Sequence, residues 1–333
     1  MSELTHIFDT FGQTTALVIG DVMLDAYVWG KVDRISPEAP VPILQANNRE
    51  ARLGGAANVA LNIQALGAKP ILCAVIGDDQ AGAEMLAILE EQNLSTEGIL
   101  TVKGRKTTVK QRVLSGSHHL LRIDSEDTDF LAEADAERLS VIIQKLLPKT
   151  NVVVFEDYDK GVISPALISE VVSSCQGHGI PTAVDPKVRN FLAYRGVTLF
   201  KPNLKELREG LGIAIKPNDI QSLNNAVALL KSKLGISGAL ITLSEHGMYL
   251  DLDGYQQRIK AHLRNIADVS GAGDTVIAVA ALCLAVNVAP PLLLELSNLS
   301  GGLVCEHVGV VPINKEDLLQ EAQTLLLAKE LNY

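Results

Sequence analysis

The sequence holds only four cysteines in 333 residues: Cys73, Cys175, Cys283 and Cys305. They are far apart, and each lies in or beside an apolar stretch, which excludes a disulfide frame and a zinc site and predicts reduced core residues of a cytoplasmic protein. The seven histidines form no ligand spacing. Their one adjacent pair, His118 and His119, would point to opposite faces of a strand. No window reaches the ~18 uninterrupted apolar residues of a membrane span. The start, Met1 to His6, lacks the basic and apolar segments of a signal peptide. Positive charge is also short: 29 Lys and Arg against 39 Asp and Glu give a formal net charge of -10. That balance argues against nucleic acid or an anionic membrane as partner. It leaves a phosphorylated small substrate open, because local basic residues can oppose the global sign. No G-x-x-x-x-G-K-[ST] occurs, since Gly67-Ala-Lys69 runs into Pro70 without the upstream glycine, so a Walker-type NTPase is excluded. Linkers, low-complexity tracts and internal repeats are absent too.

What is present is a compact α/β pattern, with 47% hydrophobic and 20% charged residues. Apolar strands are predicted at 15–21, 70–77, 151–157, 180–187, 197–201 and 238–243, alternating with helical segments. Polar or glycine residues close these strands repeatedly, at Asp21, Asp157, Asp185, Lys187 and Asn203. In open parallel sheets that edge is where ligands bind. Period-two runs at 107–113 and 120–124 flank a Ser115-Gly116 turn and, with the Tyr27–Val32 segment, predict a small separate sheet. The expected fold is therefore α/β over 1–333: one doubly wound, mostly parallel sheet with helices on both faces. A small β-sheet appendage is inserted from about 22–48 and 105–124.

The stretch from Ile266 to Leu282 organises the functional reading. Gly271, Ala272 and Gly273 precede Asp274 and then Thr275 to Val286, a run too apolar for a surface helix. Small residues at a helix start leave N–H groups without partners, and the helix dipole favours an anion there. Asp274 then sets a carboxylate beside an anion hole, which suits a base that deprotonates a hydroxyl during phosphoryl transfer. The same residues also describe a tight turn with a dipole-complementing Asp. A dinucleotide loop is disfavoured, because Val276 stands at the third glycine position and no strand with an acidic partner follows. An oxidoreductase is disfavoured with it.

Elsewhere, Gly54 and Gly55 let a ligand approach the backbone, with Asn58 one turn on offering donor and acceptor; close helix–sheet packing explains them equally. Asn203 and Glu206 share a face of a helical turn, where Glu206 suits Mg²⁺ near phosphates or an N-terminal cap. Thr242, Ser244 and Gly247 could approach a nucleotide, and Asp268 a monovalent cation. Lys110, Arg112 and Arg122 lie on the appendage strands, where a solvated strand face is the plain alternative.

Gly20-Asp21, Gly54-Gly-Ala-Ala-Asn58, Asn203-Leu-Lys-Glu206 and Asp268-Val-Ser-Gly-Ala-Gly-Asp274 resemble, in this order and over nearly the whole chain, the ribokinase-like (PfkB) carbohydrate kinases. Asp21-Val-Met-Leu-Asp25, Arg34 to Pro42, Asp157-Tyr-Asp-Lys-Gly161 and Asp185-Pro-Lys187 resemble one subgroup in particular. That subgroup is the D-glycero-β-D-manno-heptose-7-phosphate 1-kinases of ADP-heptose synthesis for lipopolysaccharide. In many bacteria this kinase is fused to a nucleotidyltransferase with an H-x-G-H signature; none occurs here, so the resemblance implies the stand-alone kinase. It further implies Asp274 as base for the anomeric hydroxyl and Gly271, Ala272 and Gly273 as anion hole. Asn203 and Glu206 would serve ATP phosphates and Mg²⁺, and Thr242, Ser244 and Gly247 the nucleotide. Asp25, Gly54, Gly55, Asn58 and Asp185 would bind the sugar beneath the appendage as a lid. Lys187, Arg112, Lys160 and Arg34 are the candidates for the substrate phosphate. The loop of Asp268 would take K⁺, and the lid would clasp a homodimer. One departure is Leu243-Ser244-Glu245, which stands where many relatives have a glycine and bears on adenine-side binding. The rivals are another sugar or nucleoside kinase of this type and a non-catalytic sugar-binding regulator.

Overall fold

The computed structural model describes residues 3–330 apart from residues 117 and 263. In chain order its strands are β1 (Thr15–Gly20), β2 (Val22–Ile35), β3 (Pro42–Gly55), β4 (Lys69–Gly77), β5 (Ile99–Val102), β6 (Val109–Ser115), β7 (His118–Ser125), β8 (Val152–Glu156), β9 (Thr182–Asp185), β10 (Leu199–Phe200), β11 (Gly238–Thr242), β12 (Met248–Leu252) and β13 (Tyr255–Ile259). Nine of them form the main sheet in the order β13-β12-β11-β10-β9-β8-β1-β4-β5. Pairing is parallel from β5 through β11, and β12 and β13 close it as an antiparallel edge.

Such a sheet is covered on both faces, so its strands read as unbroken apolar runs. In β1 the residues alternate between two cores: Ala16 and Val18 join one, Leu17 and Ile19 the other. The helix Ala272–Ala285 lies in the first core and is buried without a break from Asp274 to Cys283. It packs against the helices Ala56–Ala65 and Pro290–Val304. Burial on every side explains why this helix carries no charge after its first turn.

The second sheet has the order β3-β2-β6-β7. Here β2 is antiparallel to β3 and parallel to β6, and β6 turns back into β7. Its first arm runs further than the expected limit near 48. The strand β3 continues to Gly55, which is also the N-cap of the helix Ala56–Ala65, so the glycine pair ends a strand and opens the helix at once. The reason is a close approach: a Cβ at Gly54 would lie 2.3 Å from the Asp25 carboxylate, and Gly55 has φ 60. The main-sheet register sets Gly20 beside Glu156 and Glu156 beside Asp185. The polar ends of β1, β8 and β9 therefore meet at one edge, beneath the second sheet.

Candidate active site

Asp274 stands in the first turn of the buried helix, whose N-cap is Gly271 with φ 79 and which no side chain caps. A Cβ at Gly271 would come within 2.9 Å of the Asn58 amide, so the turn needs glycine on two counts. The Asn58 amide donates to Asp274 Oδ2 at 2.7 Å, and the Tyr158 hydroxyl donates to Oδ1 at 2.8 Å. Asn58 is itself aimed: Asn62 donates to its side-chain oxygen at 3.2 Å. That leaves the Asn58 nitrogen facing the carboxylate. Burial pushes the Asp274 carboxyl up to about 6, against the two hydrogen bonds. The result is an ionised, positioned and unusually basic carboxylate at neutral pH. Of the expected anion-hole residues, Ala272 also donates its N–H to Val269 O at 3.3 Å, closing the turn before the helix.

Tyr158 is held by its loop. The buried carboxylate of Asp21 accepts backbone N–H bonds from Tyr158 at 2.8 Å, Lys160 at 3.1 Å and Val162 at 3.1 Å. Burial, with Asp157 nearby, raises the Asp21 carboxyl to about 6 in spite of these bonds.

Behind Asp274 lies a cluster of buried charge. Lys201 is 2% exposed and sits 2.7 Å from Asp185. Carboxylate oxygens of Glu156, Asp185 and Asp274 lie within 4.8 Å of one another. Both Glu156 oxygens are buried without a hydrogen-bond partner, and burial, then Asp185 and Asp274, drive its carboxyl well above the ordinary range. Lys187 pairs with Glu206 at 2.6 Å and stands 4.0 Å from Asp185. Asn203 and Glu206 form a reciprocal capping box on the helix Leu204–Leu211: the Asn203 N–H donates to Glu206 at 2.9 Å and the Glu206 N–H to Asn203 at 2.8 Å. Glu206 thus has one oxygen on the Asn203 N–H and the other on Lys187. Asn203→Ala removes this cap and should cost about 1 kcal/mol of stability in urea denaturation.

A cleft of about 580 Å³ opens beside the helix start. Thr242, Ser244 and Gly247 line it together with Ala272 and Gly273, so nucleotide and anion-hole candidates border one cavity. Asn298, Gly301 and Gly302 line it as well, and nothing in the sequence singled them out. Asp268 faces its own loop and accepts from Ser270 at 3.0 and 2.9 Å and from the Gly309 N–H at 2.9 Å. Burial alone would raise its carboxyl, but these bonds hold it below the usual range.

On the other side the second sheet presents Asp25, which pairs with Arg112. Lys160 pairs with Glu126 at 2.8 Å. Arg34 is exposed nine residues beyond Asp25 on the same strand, roughly 30 Å away at strand rise, and is not brought to the site. Tyr158, Glu156 and Lys201 are the members of the site to which sequence reasoning gave no role. The available signal was a charged residue closing an apolar strand, as in Val153-Val-Phe-Glu156 and Leu199-Phe-Lys201.

A positioned carboxylate at an uncapped helix N-terminus, beside a cavity on a doubly wound scaffold, is an arrangement suited to phosphoryl transfer. The sequence pattern of the pfkB family carbohydrate kinases matches residues 13–317, and the chain belongs to that family. It is a phosphotransferase with an alcohol group as acceptor. The chain is 41% identical over 317 residues to the Bifunctional protein HldE of Caulobacter vibrioides, covering 95% of this chain and 65% of that protein. It thus spans just under two thirds of that relative's length. Phosphofructokinase-2 from Escherichia coli in complex with fructose-6-phosphate superposes with a TM-score of 0.75 at 18% identity, over 94% of this chain and 99% of that one. Its complex with potassium gives 0.76 at 17%. At such identity the likeness establishes the ribokinase-like fold.

Proposed function

We propose that the protein transfers the γ-phosphoryl group of ATP to O1 of D-glycero-β-D-manno-heptose 7-phosphate, in the cytoplasmic synthesis of ADP-heptose for lipopolysaccharide. The observation that carries the chemistry is Asp274, gripped by Asn58 and Tyr158 directly after Ala272 and Gly273, which line the cleft. The heptose assignment rests on the HldE relatives, which match along nearly all of this chain. The reaction is in-line displacement: Asp274 takes the proton of the O1 hydroxyl as O1 attacks phosphorus, and the helix N-terminus receives the phosphoryl oxygens. Thr242, Ser244 and Gly247 line the nucleotide, while Asp25 and the Gly54-Gly55 backbone face the sugar.

The site fits a divalent cation, because the unpartnered Glu156 oxygens and Asp185 offer hard carboxylate donors. Those two residues would hold Mg²⁺; Glu206, occupied by its cap and by Lys187, orients that lysine instead. When bound, Mg²⁺ neutralises charge on the nucleotide phosphates. The Asp268 loop is our proposed site for K⁺. The exposed strand β7, with Leu121 57% and Ile123 47% accessible, is the proposed homodimer clasp.

The test is an ADP-release assay across heptose 7-phosphate, fructose 6-phosphate, ribose and adenosine. Preference for any of the last three by a factor of about ten or more in kcat/KM would remove the heptose assignment. The pH profile is a separate check. Asp274 works only when ionised, so kcat should fall about tenfold per pH unit below about 6, with a plateau above. A midpoint near 4 would mean that burial is not setting its basicity.

A further inference from the structure

Of the basic residues expected to hold the substrate phosphate, Arg112 is bound to Asp25, Lys160 to Glu126 and Lys187 to Glu206, while Arg34 is remote. Lys110 is different. It lies on β6 opposite Asp25 of β2, half-buried, with its ammonium 5.4 Å from the centre of the Tyr158 ring. Among the described residues no carboxylate lies within 4.0 Å of it. Each acid in its neighbourhood is already paired: Asp25 with Arg112, Glu126 with Lys160 at 2.8 Å, and Asp124 with Arg122 at 2.9 Å. Burial accordingly holds its ammonium below the ordinary lysine range, against the pull of those acids. A partly desolvated cation without a counter-ion is costly, and a ligand anion relieves that cost.

The position suits an acceptor that carries charge at its far end. Tyr158 touches Asp274 through its hydroxyl and Lys110 through its ring face, so one aromatic ring separates the base from the unpaired ammonium. Lys187 stands 5.1 Å from the centre of the same ring. A sugar with its reacting hydroxyl at Asp274 would run along that ring toward Lys110. The geometry points to Lys110, seated on Tyr158, as the cation that binds the phosphate of a phosphorylated sugar acceptor and thereby sets substrate class. This rests on the reading of the substrate as a sugar phosphate.

The test compares wild type with Lys110→Gln and Lys110→Arg on heptose 7-phosphate and on the same heptose without phosphate. Loss of one charge-assisted bond of about 1.5–3 kcal/mol converts to roughly a 10- to 150-fold rise in KM for the phosphorylated sugar in Lys110→Gln. The KM for ATP, the kcat at saturation and kcat/KM for the unphosphorylated sugar should hold, and Lys110→Arg should recover most of the loss. Stabilisation of the sugar-free protein by inorganic phosphate in thermal melts should weaken in Lys110→Gln, an observation that needs no turnover. If wild type uses the sugar phosphate and Lys110→Gln matches its KM, Lys110 is not the anchor although the substrate reading stands. If wild type refuses every sugar phosphate, the substrate reading fails and this inference with it.

Discussion

Replacing Asp274 by Asn should lower kcat by a factor on the order of 10² to 10⁴, leave the KM for ATP within a few-fold, and make the folded protein more stable. The amide fits the place. Its oxygen can accept from Asn58, as Oδ2 does now, and its NH₂ can donate to a Tyr158 hydroxyl rotated to accept. The geometry of the helix mouth should therefore survive, and the loss isolates proton abstraction. The stability gain follows from linkage. Burial raises the folded carboxyl from 3.8 to about 6, so the unfolded chain ionises more easily. A raised folded value contributes stability below the unfolded pKa and loses it as pH rises through about 6; at neutral pH the ionised Asp274 is a net cost. Removing it should return on the order of 2–3 kcal/mol in urea denaturation, less the small helix-dipole contribution of a first-turn carboxylate. The acid limb of the pH profile should vanish in the same variant. Turnover within tenfold of wild type would show that another group takes the proton.

How much of this was legible beforehand depends on the range of each interaction. The doubly wound sheet, the buried late helix and the second sheet were readable because hydrophobic period is local. Asp274 behind Gly271–Gly273 was readable for the same reason: small residues ahead of a charge-free helix are a pattern within one segment. The Asn203–Glu206 pair was readable only as an ambiguity between metal ligand and cap. What decides its arrangement is Lys187, and its 2.6 Å bond to Glu206 is a product of the sheet order. The phosphate candidates show the limit most plainly. Arg112 and Lys160 are cations in the sequence, but partners 87 and 34 positions away claim them. Tyr158 lies in a segment that the family resemblance had already marked, yet its partner Asp274 is 116 residues further on. The glycine pair at 54 and 55 was readable as a helix start, which Gly55 caps, whereas nothing local reveals that the same pair closes β3 tightly against Asp25.

The buried cation Lys201 should prove the most sensitive position for stability. Its ammonium is almost wholly inaccessible, binds Asp185 at 2.7 Å, and offsets the field of Glu156. Burial works against its charge, but Asp185 and then Glu156 more than restore it, so its pKa stays above the ordinary lysine value. Lys201→Met roughly keeps the length and removes the charge, leaving buried Asp185 with only the more distant Lys187, 4.0 Å away, as a counter-charge. Breaking a buried pair this way costs about 3–5 kcal/mol, a large share of the ~5–15 kcal/mol that holds a folded protein together. Two features separate this from ordinary loss of packing. In the variant the Glu156 carboxyl, already raised by burial, loses the Lys201 charge that opposes this rise, so its folded pKa lies further above the unfolded one. The penalty should then be largest at pH 8 and shrink as pH falls toward 5. Adding Asp185→Asn to Lys201→Met should recover part of the loss, giving a favourable coupling in the double-mutant cycle. Urea denaturation of the three variants and wild type at both pH values measures each quantity. A penalty under about 1 kcal/mol that is flat across pH would mean that water, not Lys201, balances the carboxylates.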